Sequence, residues 1–149
     1  PEPDASLGDP QLADKWDRIF RERSEVLKAL EQARAAGIIG HSLDAKVSFE
    51  SRNGDRNSIL TGLVLDDRNR LQDLLIVSQA DILGDSLGAA GVEASVYETT
   101  QLNCRILVRK ADGAKCTRCW KYDPAVGKDP THPTVCARCA SVLNAGEAA

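Results

Sequence analysis

Apolar residues recur every three or four positions along the first part of the chain. Arg, Lys and Glu lie between them. A spacing of three to four residues is the period of an amphipathic helix with one apolar stripe. Asp9 can cap the first turn, Pro10 suits the first helical position and Gly37 supplies a stop. The pattern predicts a helix of about 26 residues, about 39 Å long. Its apolar stripe consists of Leu12, Trp16, Ile19, Phe20, Val26, Leu27 and Leu30.

A stripe of this length is more than we expect the rest of the chain to cover, so it predicts a further neighbouring unit. Arg18, Arg21 and Arg23 could contact RNA, but Glu22 and Glu25 lie among them. Mixed charge of this kind favours a solvated helix face.

After Gly40 the apolar residues alternate with polar ones. The alternation over 43–49 predicts a half-buried strand that ends at an Asn53-Gly54 turn. Cys104 alternates with apolar neighbours in a later strand and is predicted to be a small core residue. Helices are also predicted at 58–65 and 70–75, and strands at 74–77, 92–97 and 102–108. The fold class is therefore α+β, a long helix followed by a small mixed unit of about four strands.

Four cysteines near the end of the chain carry the strongest chemical signal. Cys116 and Cys119 form one CxxC pair, and Cys136 and Cys139 form a second after sixteen residues. Two such turns can direct four thiolates at one point, which is the closed tetrahedral ligand set of a structural zinc ion. The spacing predicts one structural Zn²⁺ with no open position for hydrolysis, held in a C-terminal module.

Other uses of these cysteines fit less well. Disulfides are disfavoured by the odd total of five cysteines and by the lack of a secretory signal. A redox CxxC would start a helix in a βαβ unit, whereas these pairs are flanked by loop-forming residues. His132 could replace one cysteine, but we interpret it as a loop residue because four thiolates saturate the ion.

Composition and charge narrow the class of protein. The chain is 42% hydrophobic and 28% charged, and no run approaches the roughly 20 apolar residues of a membrane helix. Residues 105–128 contain seven basic residues and two acidic ones, Asp112 and Asp123, so their net charge is +5. The whole 149-residue chain has a net charge of −3, so the remaining residues together carry −8. With Trp120 and Tyr122 interleaved, this stripe favours a surface for phosphates and exposed bases. A merely solvated exterior remains the alternative.

Catalytic patterns are absent from the sequence. His41 is isolated, Ser78 has no base partner in the pattern, and the glycines after 83 do not form a phosphate loop. The chain has no methionine, even at its first position, so we expect a piece of a longer protein. Residues 1–9 are interpreted as a linker.

Several stretches together resemble bacterial isoleucyl-tRNA synthetase, in order and over nearly the whole chain. The Trp16 helix and the run 39–47 resemble the end of that family's helical anticodon-binding domain. The C-terminal part resembles its zinc-binding domain, most specifically in Lys115-Cys116-Thr117-Arg118-Cys119-Trp120 and in Cys136-Ala137-Arg138-Cys139. The resemblance implies three parts: a linker and helix at 1–38, a small α+β unit at 39–110 and a zinc-binding module at 111–149.

The family joins isoleucine to its tRNA with ATP, in a catalytic domain marked by His-x-Gly-His and Lys-Met-Ser-Lys-Ser motifs. Neither motif is in this chain. The resemblance therefore implies a cytoplasmic protein in which ATP is used only by an absent catalytic domain. This segment would hold tRNA(Ile) by its anticodon stem-loop beside the remaining synthetase domains, with no catalytic residue of its own.

Five residues of the module are the candidates for tRNA contact. They are Lys115, Arg118, Lys121 and Arg138 for phosphates and Trp120 for base stacking. Trp120 could instead pack over the zinc site. Two other functions stay open: a DNA-binding finger of the base-excision glycosylase type, and a purely structural zinc module that docks on another domain.

Overall fold

The computed structural model describes residues 8–51, 68–83, 93–99, 101–102 and 104–147. Its helices are α1 (Pro10–Ala35), α2 (Arg68–Leu75) and α3 (Ala137–Glu147), with a 3₁₀ turn at Ser42–Asp44. Its strands are β1 (Ala45–Ser51), β2 (Gln79–Leu83), β3 (Ala94–Thr99), β4 (Cys104–Lys110), β5 (Ala114–Lys115) and β6 (Tyr122–Asp123). The predicted helix at 58–65 and the Asn53-Gly54 turn lie outside the described residues.

Helix α1 has the limits that the sequence predicts. The Asp9 carboxylate accepts hydrogen bonds from the backbone N–H groups of Gln11 and Leu12, at 3.0 and 3.1 Å. Gly37 follows the helix with φ +74°, in the left-handed region that glycine adopts without a steric penalty. Local signals therefore set both ends of α1.

The apolar stripe of α1 divides into a covered and an exposed part. Ile19, Val26 and Leu30 are buried against the sheet, together with Ala29 and Ala33. Nearer the N-terminus the stripe is only partly covered: Leu12 is 50% exposed, Trp16 43% and Phe20 54%. The described part of the chain thus covers the second half of the stripe better than the first.

The four long strands form one mixed sheet in the order β2-β1-β4-β3. β1 is parallel to β2 and antiparallel to β4, and β4 is antiparallel to β3. The face that packs on α1 and α2 carries Val47, Phe49, Ile106 and Val108, each fully buried. Cys104 is 1% exposed in the same core, so its predicted role is confirmed. The α+β class is confirmed as well.

The strand predicted at 74–77 is wrong. Leu74 and Leu75 finish α2, Ile76 has φ +56°, and β2 begins only at Gln79. The β-branched pair Ile76-Val77 favours a strand locally, but Leu71, Leu75 and Val77 pack into one core from a helix and the turn after it. Tertiary packing overrode the local preference.

The cysteine module has regular structure that the pattern did not predict. β5 and β6 pair as a two-stranded antiparallel ribbon, with Lys115 opposite Tyr122. Helix α3 begins at Ala137, between the two cysteines of the second pair. None of the helices in the described residues combines the length and the apolar character that a bilayer span requires.

Candidate metal centre

Two short turns bring the cysteine pairs together. Cys116 follows β5, and its turn closes through a hydrogen bond from the Trp120 N–H to the Cys116 carbonyl at 3.0 Å. Cys136 precedes α3, and Cys139 lies in the first turn of that helix. A backbone bond of 3.1 Å from the Thr117 N–H to the Thr134 carbonyl ties the two turns to each other.

The four sulfur atoms form one compact cluster. All of them lie within 4.8 Å of one another, and Cys119 Sγ is 3.8 Å from Cys136 Sγ. Zinc–sulfur bonds of about 2.3 Å in a tetrahedron separate neighbouring sulfurs by about 3.8 Å. A disulfide needs about 2.05 Å, so this pair is not bonded. Both the number and the spacing of the donors fit a zinc ion.

Backbone donors stabilise the thiolate form of the first cysteine. The Cys116 sulfur accepts N–H groups from Cys119 at 3.5 Å and from Cys136 at 3.3 Å. Burial would raise the pKa of Cys116, but these donors outweigh it and lower the pKa to about 6. Cys116 is thus prepared as an anionic ligand.

The second pair favours the neutral thiol form. Burial, followed by contact with the Cys136 thiol, raises the pKa of Cys139 to about 12. Burial also raises the pKa of Cys136. Thiolates this close repel each other, and a bound metal reverses that balance because a coordinating thiol is deprotonated outright. The cluster therefore has the chemistry of a metal site.

His132 lies outside this cluster. Within the described residues, the group that could hold a metal consists of the four cysteine sulfurs. The His132 N–H donates to the Asp129 carboxylate at 2.9 Å, and its carbonyl accepts from Val135 at 3.3 Å. Its backbone thus belongs to the loop before Cys136, which agrees with the loop interpretation.

The candidate RNA residues surround the sulfur cluster but differ in their contacts. Lys115 and Arg118 are exposed. Arg138 is exposed on α3, and a side-chain hydrogen bond with Cys119 raises its pKa. Arg118 and Arg138 line one shallow cavity of about 370 Å³ beside Cys119 and Cys139. The two arginine side chains thus share one surface next to the sulfur cluster.

Trp120 and Lys121 are placed differently from each other. Trp120 is 62% exposed and has φ +65°, and it is not part of the buried apolar cluster around the sulfurs. Lys121 Nζ lies 2.5 Å from Asp73 Oδ1 of α2, and its side chain is only 23% exposed. The indole therefore faces solvent, whereas the Lys121 ammonium is engaged within the chain.

The polar residues considered for catalysis have structural partners. The His41 ring accepts from the Leu43 N–H at 3.4 Å and helps to cap the 3₁₀ turn. The Ser78 hydroxyl donates to the Leu43 carbonyl at 2.5 Å and accepts from the Tyr122 N–H at 2.7 Å. Gln79 next to it also contacts the module, at Asp112. The sequence did not indicate these contacts, because no local pattern marks them.

Comparison with known proteins agrees with this geometry. Residues 113–142 match the family described as "Zinc finger found in FPG and IleRS". Over 132 residues the chain is 39% identical to "Isoleucine--tRNA ligase" of Fervidobacterium nodosum, covering 89% of the chain and 13% of that protein. Over 145 residues it is 40% identical to the ligase of Geobacillus thermodenitrificans, covering 97% and 15%. It is 41% identical over 136 residues to the ligase of Carboxydothermus hydrogenoformans, covering 91% of the chain and 13% of that protein.

These similarities confirm the resemblance to the isoleucyl-tRNA synthetase family. They extend well beyond the finger, across the sheet and helix α1. The chain spans about a seventh of the length of these relatives, at 13–15%.

Proposed function

We propose that this chain, similar over most of its length to isoleucine–tRNA ligases, is the part of such an enzyme that holds tRNA(Ile). It binds the anticodon stem-loop and positions the tRNA for aminoacylation by domains that the chain does not include. The observation that supports this most directly is an exposed indole and two arginines placed beside a four-thiolate cluster.

One zinc ion is the cofactor that we propose, bound by Cys116, Cys119, Cys136 and Cys139. Zinc in a closed four-sulfur site supplies structure and no catalysis. It would fix the two turns and α3 relative to each other. The side chains between and beside the ligands would then form one rigid surface.

The chemistry of that surface suits a folded RNA. Arg118 and Arg138 can bind phosphates from their shared cavity, with Lys115 on β5 as a further cation. Phosphate contacts supply affinity that falls with salt, whereas stacking on an aromatic ring selects unpaired bases. The exposed Trp120 is our stacking candidate, and base stacking contributes about 1–3 kcal/mol per base.

Catalysis and ATP binding belong, in this proposal, to other domains of a complete ligase. Those domains and the tRNA are the proposed partners, and the cytoplasm is the proposed location. The exposed Leu12, Trp16 and Phe20 of α1 are consistent with contact to such a neighbour.

A binding titration tests the proposal. The zinc-loaded chain is titrated with isoleucine tRNA, a noncognate tRNA and duplex DNA, at about 50 mM and about 200 mM salt. Zinc-dependent preference for isoleucine tRNA is the expected result. Trp120→Ala should weaken RNA binding at both salt concentrations, whereas Arg118→Ala should also reduce the salt dependence. Trp16→Ala on α1 is the matched control for loss of an exposed indole.

The same titration separates two other functions. The matched finger family also occurs in FPG, so a DNA-binding finger is the second candidate, and preference for duplex DNA would favour it. A purely structural module predicts no affinity for any nucleic acid. The similarity of α1 and the sheet to ligases argues for the tRNA function over both.

A further inference from the structure

The cysteine module meets the sheet at the first residue of β2. Gln79 Nε2 donates to the Asp112 carbonyl at 2.8 Å, and Gln79 Oε1 accepts the Asp112 N–H at 2.9 Å. One side-chain amide therefore pairs with both backbone groups of one residue, as a neighbouring strand would. A longer contact of 3.5 Å joins the same Nε2 to the Tyr122 carbonyl of β6.

Ser78 adds a buried link at the same junction. It is 4% exposed, and its hydroxyl joins the Tyr122 N–H of β6 to the Leu43 carbonyl before β1. Buried polar groups are costly to leave unpaired, so these bonds favour one relative position of the two units. The Lys121–Asp73 ion pair lies nearby but is partly exposed and contributes less.

Apolar packing does not fix this junction. Within the described residues, two clusters of buried apolar side chains share no member, one around the sheet and one around the sulfurs, and Leu107 of β4 is buried outside both. The hydrophobic effect holds each cluster together but has no direction across the gap between them. Polar contacts remain to set the angle of the module: the hydrogen bonds of Ser78 and Gln79, and the ion pairs of Asp112 with Lys46 and Arg109. The Asp112 carboxylate is 45% exposed, whereas Ser78 is buried.

We propose that Ser78 and Gln79 are positioning residues that hold the cysteine module in one orientation against the sheet. RNA binding by the module depends on that orientation, because a surface that is already ordered loses less entropy when the RNA binds. This second statement rests on the proposed function, whereas the first does not.

A double variant with a matched control tests the proposal. Gln79→Glu keeps the size of the side chain but directs a carboxylate oxygen at the Asp112 and Tyr122 carbonyls, and Ser78→Ala removes the hydroxyl. Gln32→Glu is the control. Gln32 donates to Ser95 and to the Val96 carbonyl at 3.0 and 3.1 Å, on β3 at the opposite edge of the sheet from β2. The control therefore makes the same charge change at a different contact.

The orientation is measured without RNA. Residual dipolar couplings of the zinc-loaded 149-residue chain should fit one alignment tensor for the module and the sheet together. The couplings of the double variant should need two alignment tensors, and those of the Gln32→Glu control should need one. All three proteins should bind one zinc per chain. A single tensor in the double variant would overturn the positioning role. Ser78→Ala alone replaces the double variant if the latter does not bind zinc.

Affinity for isoleucine tRNA is then compared at fixed salt. The double variant should bind about five- to tenfold more weakly than the Gln32→Glu control, a change of about 1–1.4 kcal/mol. Equal affinity, with two tensors, would overturn the dependence of RNA binding on orientation. If the unmodified chain bound no RNA, the proposed function would fail with it, while the tensors would still decide the positioning role.

Discussion

At the scale of single residues, two helices end with the same backbone hydrogen bonds but with different residues in the left-handed position. After α1, the Gly37 and Ile38 N–H groups bond to the carbonyls of Arg34 and Ala33, both at 3.0 Å. After α2, Ile76 and Val77 bond in the same way at 3.3 and 3.0 Å. Glycine tolerates this conformation, whereas a β-branched residue is strained by about 1–2 kcal/mol.

We therefore expect Ile76→Gly to stabilise the protein by about 1 kcal/mol. The Ile76 side chain is 52% exposed, so its removal sacrifices little packing. Urea unfolding of the zinc-loaded chain measures the change.

Gly37→Ala is the paired control. An added Cβ at Gly37 would meet no atom within 4 Å, so we expect no steric clash. Gly37→Ala should destabilise the protein by about 1 kcal/mol, the conformational cost alone, whereas Ile76→Gly should stabilise it. A loss of stability in Ile76→Gly would mean that the isoleucine side chain packs more strongly than its exposure indicates.

Two features of the structure require glycine at position 113: its φ of +91° and the close approach of another backbone segment. An added Cβ would lie 2.4 Å from backbone atoms of Asp123 and Pro124, which cannot rotate away. We expect Gly113→Ala to destabilise the module by at least about 2 kcal/mol and to weaken zinc binding in a chelator competition assay.

Gly127 provides the comparison for that change. It has the same φ of +91°, but its added Cβ would approach only the Pro133 carbonyl, at 3.7 Å. Gly127→Ala should cost only the conformational term, about 1 kcal/mol. Equal effects of the two variants would contradict the steric explanation for Gly113.

At the scale of elements, a charge cluster joins the strands to the module. Lys46 of β1 lies 2.8 Å from Asp81 of β2 and 3.3 Å from Asp112. Arg109 of β4 binds both Asp112 oxygens, at 2.7 and 2.9 Å. The Arg109 hydrogen bonds, and then Lys46, lower the pKa of Asp112 against the opposing effect of burial.

Asp112→Asn should therefore reduce stability in a pH-dependent way. A carboxyl with a lowered pKa stabilises the fold above its unfolded pKa, and the contribution is lost as the pH falls through the folded pKa. The Asp112 side chain is 45% exposed, so we expect a deficit below about 1 kcal/mol at neutral pH.

Urea unfolding from about pH 7 to about pH 3 should show the two proteins converging at the acid end. Asp14→Asn, on an exposed part of α1, is the control for loss of a carboxylate. A deficit that stayed constant with pH would contradict the attribution of the effect to the ionised Asp112 carboxylate, since the backbone bonds to Gln79 are the same in both proteins.

At the scale of the whole molecule, we expect the module to unfold by itself, because its buried apolar residues form a cluster separate from that of the sheet. Cys116→Ser removes the proposed zinc ligand whose sulfur accepts two backbone N–H groups. In small zinc modules the apparent free energy of zinc binding, about 10–16 kcal/mol, drives folding. We therefore expect the Cys116→Ser variant to lose zinc and its module, residues 111–149, to unfold. In a complete ligase, the same change should impair charging of tRNA.

NMR spectra of Cys116→Ser should keep the amide signals of β1 and β4 while those of the module collapse. Cys104→Ser is the matched control, because Cys104 is buried in the sheet core and lies outside the sulfur cluster. It should retain one zinc per chain and lose stability in the sheet instead. Full zinc content with normal module signals in Cys116→Ser would contradict the assignment of the ligands.

The sequence by itself determined the features that depend on neighbouring residues. Asp9, Pro10 and Gly37 set the limits of α1, because capping acts within one helical turn. The cysteine spacing indicated the cluster, because each CxxC turn is closed locally. The period of two indicated β1, β3 and β4, but not β2. In each case the signal comes from residues a few positions apart along the chain, although the two cysteine pairs themselves meet across 17 residues, at Cys119 and Cys136.

Only the tertiary structure decided which partners meet across long separations. Gln79 and Asp112 are 33 residues apart, and Lys121 and Asp73 are 48 apart. No periodicity links such pairs, because their contact depends on how α2, the sheet and the module pack. The same packing converted the β-branched Ile76-Val77 from a predicted strand into the turn after α2. It also left Leu12, Trp16 and Phe20 more exposed than the rest of the α1 core stripe.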